Sequence, residues 1–103
     1  MDIGKSIREL RKLKKLSQEE LAQKAGITQA ALSHIERGKR PGESTMEKIS
    51  TALSVPVALI YLMSVEEADV PAGNADVYKK LFTYMKGMIL DIADDPSQLA
   101  GPQ

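Results

Sequence analysis

Residues 16–40, LSQEELAQKAGITQAALSHIERGKR, decide the fold of this chain. They contain two helix-forming phrases joined at a single glycine, Gly26, which can take a left-handed conformation at a helix end without steric cost. Ser17 precedes Glu20 by three residues, the spacing of a capping box, in which each side chain accepts a hydrogen bond from the other residue's backbone N–H. The first helix of the stretch is therefore predicted to begin at Gln18 and to stop before Gly26.

The second helix of the stretch is predicted to have two unlike faces. Thr28 is a suitable N-cap, the helix spans residues 29–37, and Gly38 ends it. At 100° per residue, an arc of about 140° collects five residues: Gln29, Ala30, Ser33, His34 and Arg37. The opposite side collects apolar residues: Ala31, Leu32 and Ile35. One face is therefore expected to pack in a core, and the other to form a short polar surface beside the basic loop of residues 39–41.

Helical periodicity continues on both sides of this stretch. Apolar residues at three- and four-residue steps predict a first helix: Ile3, Ile7, Leu10 and Leu13. A fourth helix begins near residues 42–44, where Ser44 and Glu47 predict a second capping box. Its inward residues are Met46, Ile49, Ala52 and Leu53. Pro56 is then predicted to be the first residue of a fifth helix that contains the apolar run VALIYLMSV.

The C-terminal part reads as a separate segment. Residues 66–75 are acidic and rich in turn formers, which predicts a linker. A sixth helix is expected over residues 76–94, because an apolar stripe lies within about 100° of arc: Val77, Leu81, Tyr84, Met85, Met88 and Ile92. Residues 95–103 are expected to be a flexible tail.

Composition excludes several classes of function. The 103 residues suit one small domain, and the absence of cysteine removes disulfides, thiolate nucleophiles and cysteine metal sites. His34 is the single histidine, so neither a metal site nor a cofactor is expected. We find no paired nucleophile and base in the sequence, so an enzyme is not expected. No run of about 20 apolar residues predicts a membrane span, and we expect a cytoplasmic protein.

The zero net charge conceals a separation along the chain. Residues 1–40 carry ten Lys and Arg against five Asp and Glu, whereas residues 41–103 carry four against nine. A basic half joined to an acidic half favours a part that binds a polyanion and a part with another role.

A helix, a glycine turn and a second helix with a polar outer face form a helix-turn-helix arrangement. Residues 3–60 resemble the Xre/Cro type, the lambdoid phage repressor family, in the Ser-Gln-Glu-Glu-Leu-Ala opening, the Gly26 turn and the Ile-Glu-Arg-Gly close. The resemblance implies an all-α, five-helix, lambda-repressor-like DNA-binding domain over residues 1–65, followed here by the additional C-terminal helix. Ser54 departs from the family, which often has glycine after its fourth helix.

The resemblance also implies roles for individual residues. Four would face DNA bases: Gln29, Ala30, Ser33 and His34. Five would contact backbone phosphates: Gln18, Thr28, Arg37, Lys39 and Arg40. Gln18 would also brace Gln29, and Arg11 would form a structural ion pair with Glu36.

The favoured function is a dimeric repressor that binds an inverted-repeat operator in double-stranded DNA. Its dimer surface would combine the sixth-helix stripe with Leu59, Tyr61 and Leu62 of the fifth helix. The sixth helix could instead cover its own domain. The alternatives for function are an antitoxin whose residues 66–103 bind a protein toxin, a restriction-modification controller, and an adaptor that binds only protein.

Overall fold

The computed structural model describes residues 1–70 and, from the segment that follows, residues 76, 77, 79, 80, 83, 84, 87, 88 and 91. The first 70 residues form five helices: α1 (Ile3–Leu13), α2 (Gln18–Ala25), α3 (Gln29–Glu36), α4 (Glu43–Leu53) and α5 (Val57–Ser64). A short 3₁₀ turn follows at Glu67–Asp69. The described residues contain no strand. The predicted all-α class with five helices in this domain is therefore confirmed.

The caps around α2 and α3 were predicted correctly. The Ser17 hydroxyl accepts from the Glu20 N–H at 3.0 Å, and the Glu20 carboxylate accepts from the Ser17 N–H at 3.1 Å. Gly26 ends α2 in the left-handed region at φ 69°. The Thr28 hydroxyl then accepts from the Ala31 N–H at 3.0 Å and opens α3. These short-range contacts set the angle at which α3 leaves α2.

α4 begins within the predicted range of residues 42–44, but three details at helix ends were predicted wrongly. No capping box forms at Ser44, because α4 already begins at Glu43 and its N-cap, Gly42, makes no side-chain cap hydrogen bond. Pro56 is the N-cap of α5 rather than its first helical residue, since its ψ of 145° is extended. α3 ends one residue early, and Arg37 is its C-cap. A difference of one residue is usual where the last turn of a helix tightens.

Ser54 ends α4 where the family often has glycine. It adopts the left-handed conformation, with φ 59° and ψ 38°, and its N–H donates to the Thr51 carbonyl at 3.1 Å. The helix end is therefore the one that glycine would make, although a side chain in this region costs about 1 kcal/mol.

Each helix contributes to one core. α1 packs on α3 and α5, α2 packs on α3 and α4, and α4 packs on α5. The buried apolar residues are Ile3, Ile7, Leu10, Leu21, Ala22, Ala25, Leu32, Ile35, Met46, Ile49, Leu53, Val55, Ile60 and Met63. Leu13 and Ala52, which were predicted to point inward, pack at the edge of this core and are only partly buried. The core therefore holds the polar face of α3 outward.

Gly4 allows α1 to approach α3 closely. A Cβ at this position would overlap the carbonyl oxygen of Ile35 and lie 3.0 Å from that of Glu36. Glycine inside a helix costs roughly 1 kcal/mol relative to alanine, so the close approach supplies the reason for its presence.

The described residues between 76 and 91 are helical, and all of them are exposed. Among them, Val77, Tyr84 and Met88 are 69, 73 and 52% exposed. Leu81, Met85 and Ile92 of the predicted stripe lie outside the described residues, as does the tail of residues 95–103. The division into domain, linker, helix and tail therefore stays a prediction.

Within the described ranges, no single helix is both long and apolar enough to cross a membrane. α4 and α5 meet the length and composition criteria only when taken together, as a pair bent by 100°.

Candidate nucleic-acid interface

The outer face of α3 forms the floor of a shallow groove. Leu32 and Ile35 on its inner side are buried, which leaves the opposite side free to line the surface. The groove is lined by six residues: Gln18, Gln29, Ala30, Ser33, His34 and Arg37. The structure therefore brings together the four residues predicted to face bases with two of the five predicted to contact phosphates.

The other three residues predicted to contact phosphates lie outside this groove. Thr28 is exposed at the start of α3, and its hydroxyl oxygen caps the helix. Lys39 and Arg40 are exposed in the loop that follows α3. The Lys39 N–H donates to the His34 carbonyl at 2.9 Å, which ties the start of the loop to the end of the helix. Cationic side chains therefore follow directly from the C-terminal end of the groove.

A buried carboxylate lies beneath the groove. The Glu36 side chain has no exposed surface, and its two oxygens accept from Arg11 Nε at 2.8 Å and Arg11 Nη2 at 3.0 Å. Arg11 Nη1 also donates to the Leu16 carbonyl at 2.9 Å, on the turn between α1 and α2. One arginine thus joins α1, the start of the helix-turn-helix stretch and the end of α3.

Two further residues complete this network. Gln18 Nε2 donates to Glu36 Oε1 at 3.1 Å, from the first residue of α2. Arg8 Nη2 donates to the Glu36 backbone carbonyl at 3.3 Å, and Arg8 Nε lies 3.6 Å from Glu36 Oε1. We call the four side chains of Arg8, Arg11, Gln18 and Glu36 the Glu36 network.

The network keeps Glu36 ionised. Burial is the largest influence on its pKa and opposes ionisation, because it removes the carboxylate from water. The hydrogen bonds from Arg11 and Gln18 and the charges of Arg11 and Arg8 outweigh burial, so the pKa of Glu36 is held below its ordinary value. An ionised carboxylate, stabilised by its hydrogen bonds and by two arginines, therefore lies beneath the groove.

Sequence reasoning missed two partners in this network. Arg8 was not predicted to join Arg11 and Glu36, yet it precedes Arg11 by three residues and so lies on the same side of the helix. Gln18 was expected to brace Gln29, whereas its amide nitrogen donates to Glu36. The spacing of the two arginines was the available signal, while the Gln18 contact depends on how α2 packs against α3.

Metal-binding chemistry has no obvious site in the part of the chain that the structure describes. No group of three or more His, Cys, Asp or Glu residues is arranged there to hold an ion.

Comparison with known proteins places residues 7–60 in a family described as helix-turn-helix. The uncharacterized HTH-type transcriptional regulator RghRB of Bacillus subtilis (strain 168) is 44% identical over 55 residues, which are 52% of this chain and 40% of the relative. The immunity repressor protein of Bacillus phage phi105 is 39% identical over 61 residues, covering 58% of this chain and 42% of the relative.

A third relative extends the similarity further along the chain. The HTH-type transcriptional repressor RghR of Bacillus subtilis (strain 168) is 36% identical over 75 residues, which are 66% of this chain and 56% of that protein. This chain therefore spans about half the length of the curated relatives it matches. No solved structure gives a significant match.

Proposed function

The chain belongs to the helix-turn-helix family of Xre/Cro type, whose members are DNA-binding transcriptional regulators, and from that premise we propose that it is a dimeric repressor that inserts α3 into the major groove of an operator. The observation that carries the proposal is the groove on α3, which the four predicted base-facing residues line together, with Gln29, Ala30 and His34 exposed and Ser33 partly buried. A B-form major groove admits one α-helix, and each base pair presents a distinct pattern of donors and acceptors there.

The side chains on α3 suit that pattern. Gln29 carries an amide that can both donate to and accept from adenine, and His34 can donate to guanine. Ala30 leaves room for a thymine methyl group, and Ser33 can serve either as donor or as acceptor. Most of this surface is uncharged, so it would contribute selectivity between base pairs more than overall affinity.

Overall affinity would come from the residues around the groove. Arg37, Lys39 and Arg40 provide three positive charges at the C-terminal end of α3. Thr28 lies at the other end, where its oxygen caps the helix and its hydroxyl proton remains able to donate to a phosphate. Contacts of this kind position a protein on the duplex and make its affinity fall with salt.

A single α3 would cover only half of an operator. Related folds bind as dimers whose recognition helices enter successive major grooves about 34 Å apart. Val77, Tyr84 and Met88 are exposed on the C-terminal segment, and Leu59, Tyr61 and Leu62 are only partly buried on α5. We assign these two surfaces to an isologous dimer contact.

Selection of bound duplexes from a random library tests the DNA-binding proposal. We expect an inverted repeat whose half-sites are about one helical turn apart, with an affinity well above that of a scrambled control. Recovery of no preferred sequence, with only weak and salt-sensitive binding, would contradict a base-reading role for α3.

Sedimentation equilibrium tests the dimer. Tyr84→Glu should dissociate it, whereas Thr83→Glu, the same change at the adjacent exposed position, should leave it intact. A wild-type chain that stays monomeric at concentrations where it binds its operator would overturn this contact. Residues 66–103 would then either cover their own domain or bind a protein partner.

A further inference from the structure

We infer that Glu36 is a positioning residue for DNA recognition, because its buried carboxylate sets which way the side-chain amide of Gln18 points at the edge of the groove. The inference rests on the function proposed above. It assigns to the ion pair beneath α3 a role beyond holding the helices together.

Gln18 belongs both to the groove on α3 and to the Glu36 network. Its side chain lines the groove with Gln29 and Ser33, and its Nε2 donates to Glu36 Oε1 at 3.1 Å. It is also the first residue of α2, directly after the capping box at Ser17, so its backbone is held in place by short-range contacts. The remaining freedom of Gln18 lies in its side-chain torsions and in the orientation of its amide.

The carboxylate permits one orientation of that amide. An ionised carboxylate can only accept hydrogen bonds, whereas an amide has a donor end and an acceptor end of almost the same shape. Turning the amide over would place its oxygen against the Glu36 oxygens, and the two would repel. The Gln18 NH₂ group must therefore face Glu36.

Glu36 is itself unable to move aside. Its side chain is fully buried, and both of its oxygens accept from Arg11, at 2.8 and 3.0 Å. Arg11 is 12% exposed and is held in turn by the Leu16 carbonyl. The fixed position of the buried Arg11–Glu36 pair therefore determines the orientation of the Gln18 side chain at the surface.

This arrangement prepares Gln18 before DNA arrives. One N–H and the carbonyl oxygen remain for contacts on the groove side, and their directions are already set. An amide free to flip and rotate would lose that freedom on binding, which costs an affinity factor of about two to ten.

Glu36→Gln is the sharpest single change. It keeps nearly the same volume but offers Gln18 both a donor and an acceptor, so either amide orientation becomes possible. The experiment measures the affinity of four proteins for the selected operator: wild type, E36Q, Q18A and the double variant. Far-UV circular dichroism at the working temperature establishes that each protein is folded.

We expect the effects of the E36Q and Q18A substitutions on operator affinity to be coupled. E36Q should weaken operator binding by about two- to tenfold more in the wild-type background than in the Q18A background. Equal losses in the two backgrounds would overturn the inference and leave the proposed function standing. A wild-type chain that selects no duplex would instead overturn the proposed function, and this inference with it.

A measurement on the wild-type protein does not depend on how stable E36Q is. The side-chain amide protons of Gln18, assigned by their loss in Q18A, should exchange slowly and shift as Glu36 titrates. Gln23 is the matched control, because it is an exposed glutamine on the same helix. If the Gln18 signals exchange and titrate like those of Gln23, the carboxylate does not hold the amide and the inference is wrong.

Discussion

Arg11→Ala should destabilise this domain more than any surface change, because it leaves the Glu36 carboxylate buried without its main partner. The substitution removes the hydrogen bonds at 2.8 and 3.0 Å to Glu36 and the bond at 2.9 Å to the Leu16 carbonyl. The Glu36 side chain is 0% exposed, so water cannot replace them without a rearrangement of the helices.

The magnitude follows from what remains around Glu36. Breaking a buried ion pair by removing one partner costs about 3–5 kcal/mol. Gln18 still donates at 3.1 Å, and Arg8 lies 3.6 Å away with 44% of its side chain exposed, so some compensation survives. We therefore expect a loss of about 3 kcal/mol at pH 7, a large part of the 5–15 kcal/mol typical of a small domain.

The loss should depend on pH in a definite direction. In the wild type the pKa of Glu36 lies below its ordinary value of 4.5, so its ionised form stabilises the fold above pH 4.5, and this stabilisation is lost as pH falls through the lowered pKa. Without Arg11, burial dominates and favours the protonated form. The difference between wild type and Arg11→Ala should therefore be largest near neutral pH. It should begin to shrink above pH 4.5, as the buried carboxyl of the variant takes up a proton, and shrink further below pH 4.5, as the wild-type carboxylate does.

Urea unfolding followed by far-UV circular dichroism, repeated between neutral and acidic pH, measures this difference. Lys12→Ala is the matched control on the same helix and should change stability by less than about 0.5 kcal/mol. Adding Glu36→Gln to Arg11→Ala should recover part of the loss, since the unpaired charge is then removed. A loss below about 1 kcal/mol, or one that is constant with pH, would refute this reasoning.

Four further substitutions, one of them paired with a control, test the close packing, the helix end and the interface. Gly4→Ala should cost about 1–3 kcal/mol in urea unfolding, because its Cβ would overlap a carbonyl of α3, and a neutral result would show that α1 can shift freely. Ser54→Gly should stabilise the domain by about 1 kcal/mol, because glycine takes the left-handed conformation without steric cost. The control Ser44→Gly, inside α4, should destabilise the domain by a similar amount. If both substitutions change stability in the same direction, the left-handed conformation of Ser54 is contradicted. Gln29→Ala should cost about 1–3 kcal/mol on the selected operator and much less on random DNA, and equal losses would exclude base reading by this residue. Lys39→Ala should weaken binding to the operator and to random DNA equally, and should lower by about one the slope of the logarithm of affinity against the logarithm of salt concentration. An unchanged slope would show that this lysine does not contact a phosphate.

Short-range sequence signals were sufficient for most of the fold. The capping box at Ser17 and Glu20, the glycine at residue 26 and the cap at Thr28 each act within one turn, so their structures follow from local residue types. The period of the apolar residues placed the core on the correct faces of the helices. The same signals failed at Ser44, where the matching spacing began one residue inside a helix that had already started at Glu43.

The sequence by itself therefore determined the five helices, their order and the polar face of α3, because these depend on contacts between near neighbours. The family resemblance implied the Arg11–Glu36 pair and the closeness of Gln18 to Gln29. Only the tertiary structure decided that Arg8 and Gln18 also converge on Glu36, and that Gly4 lies against the end of α3. These contacts join residues 11 to 32 positions apart, and their geometry depends on how closely the helices pack. No local propensity carries that information, which arises only when the buried side chains fill the space between the helices.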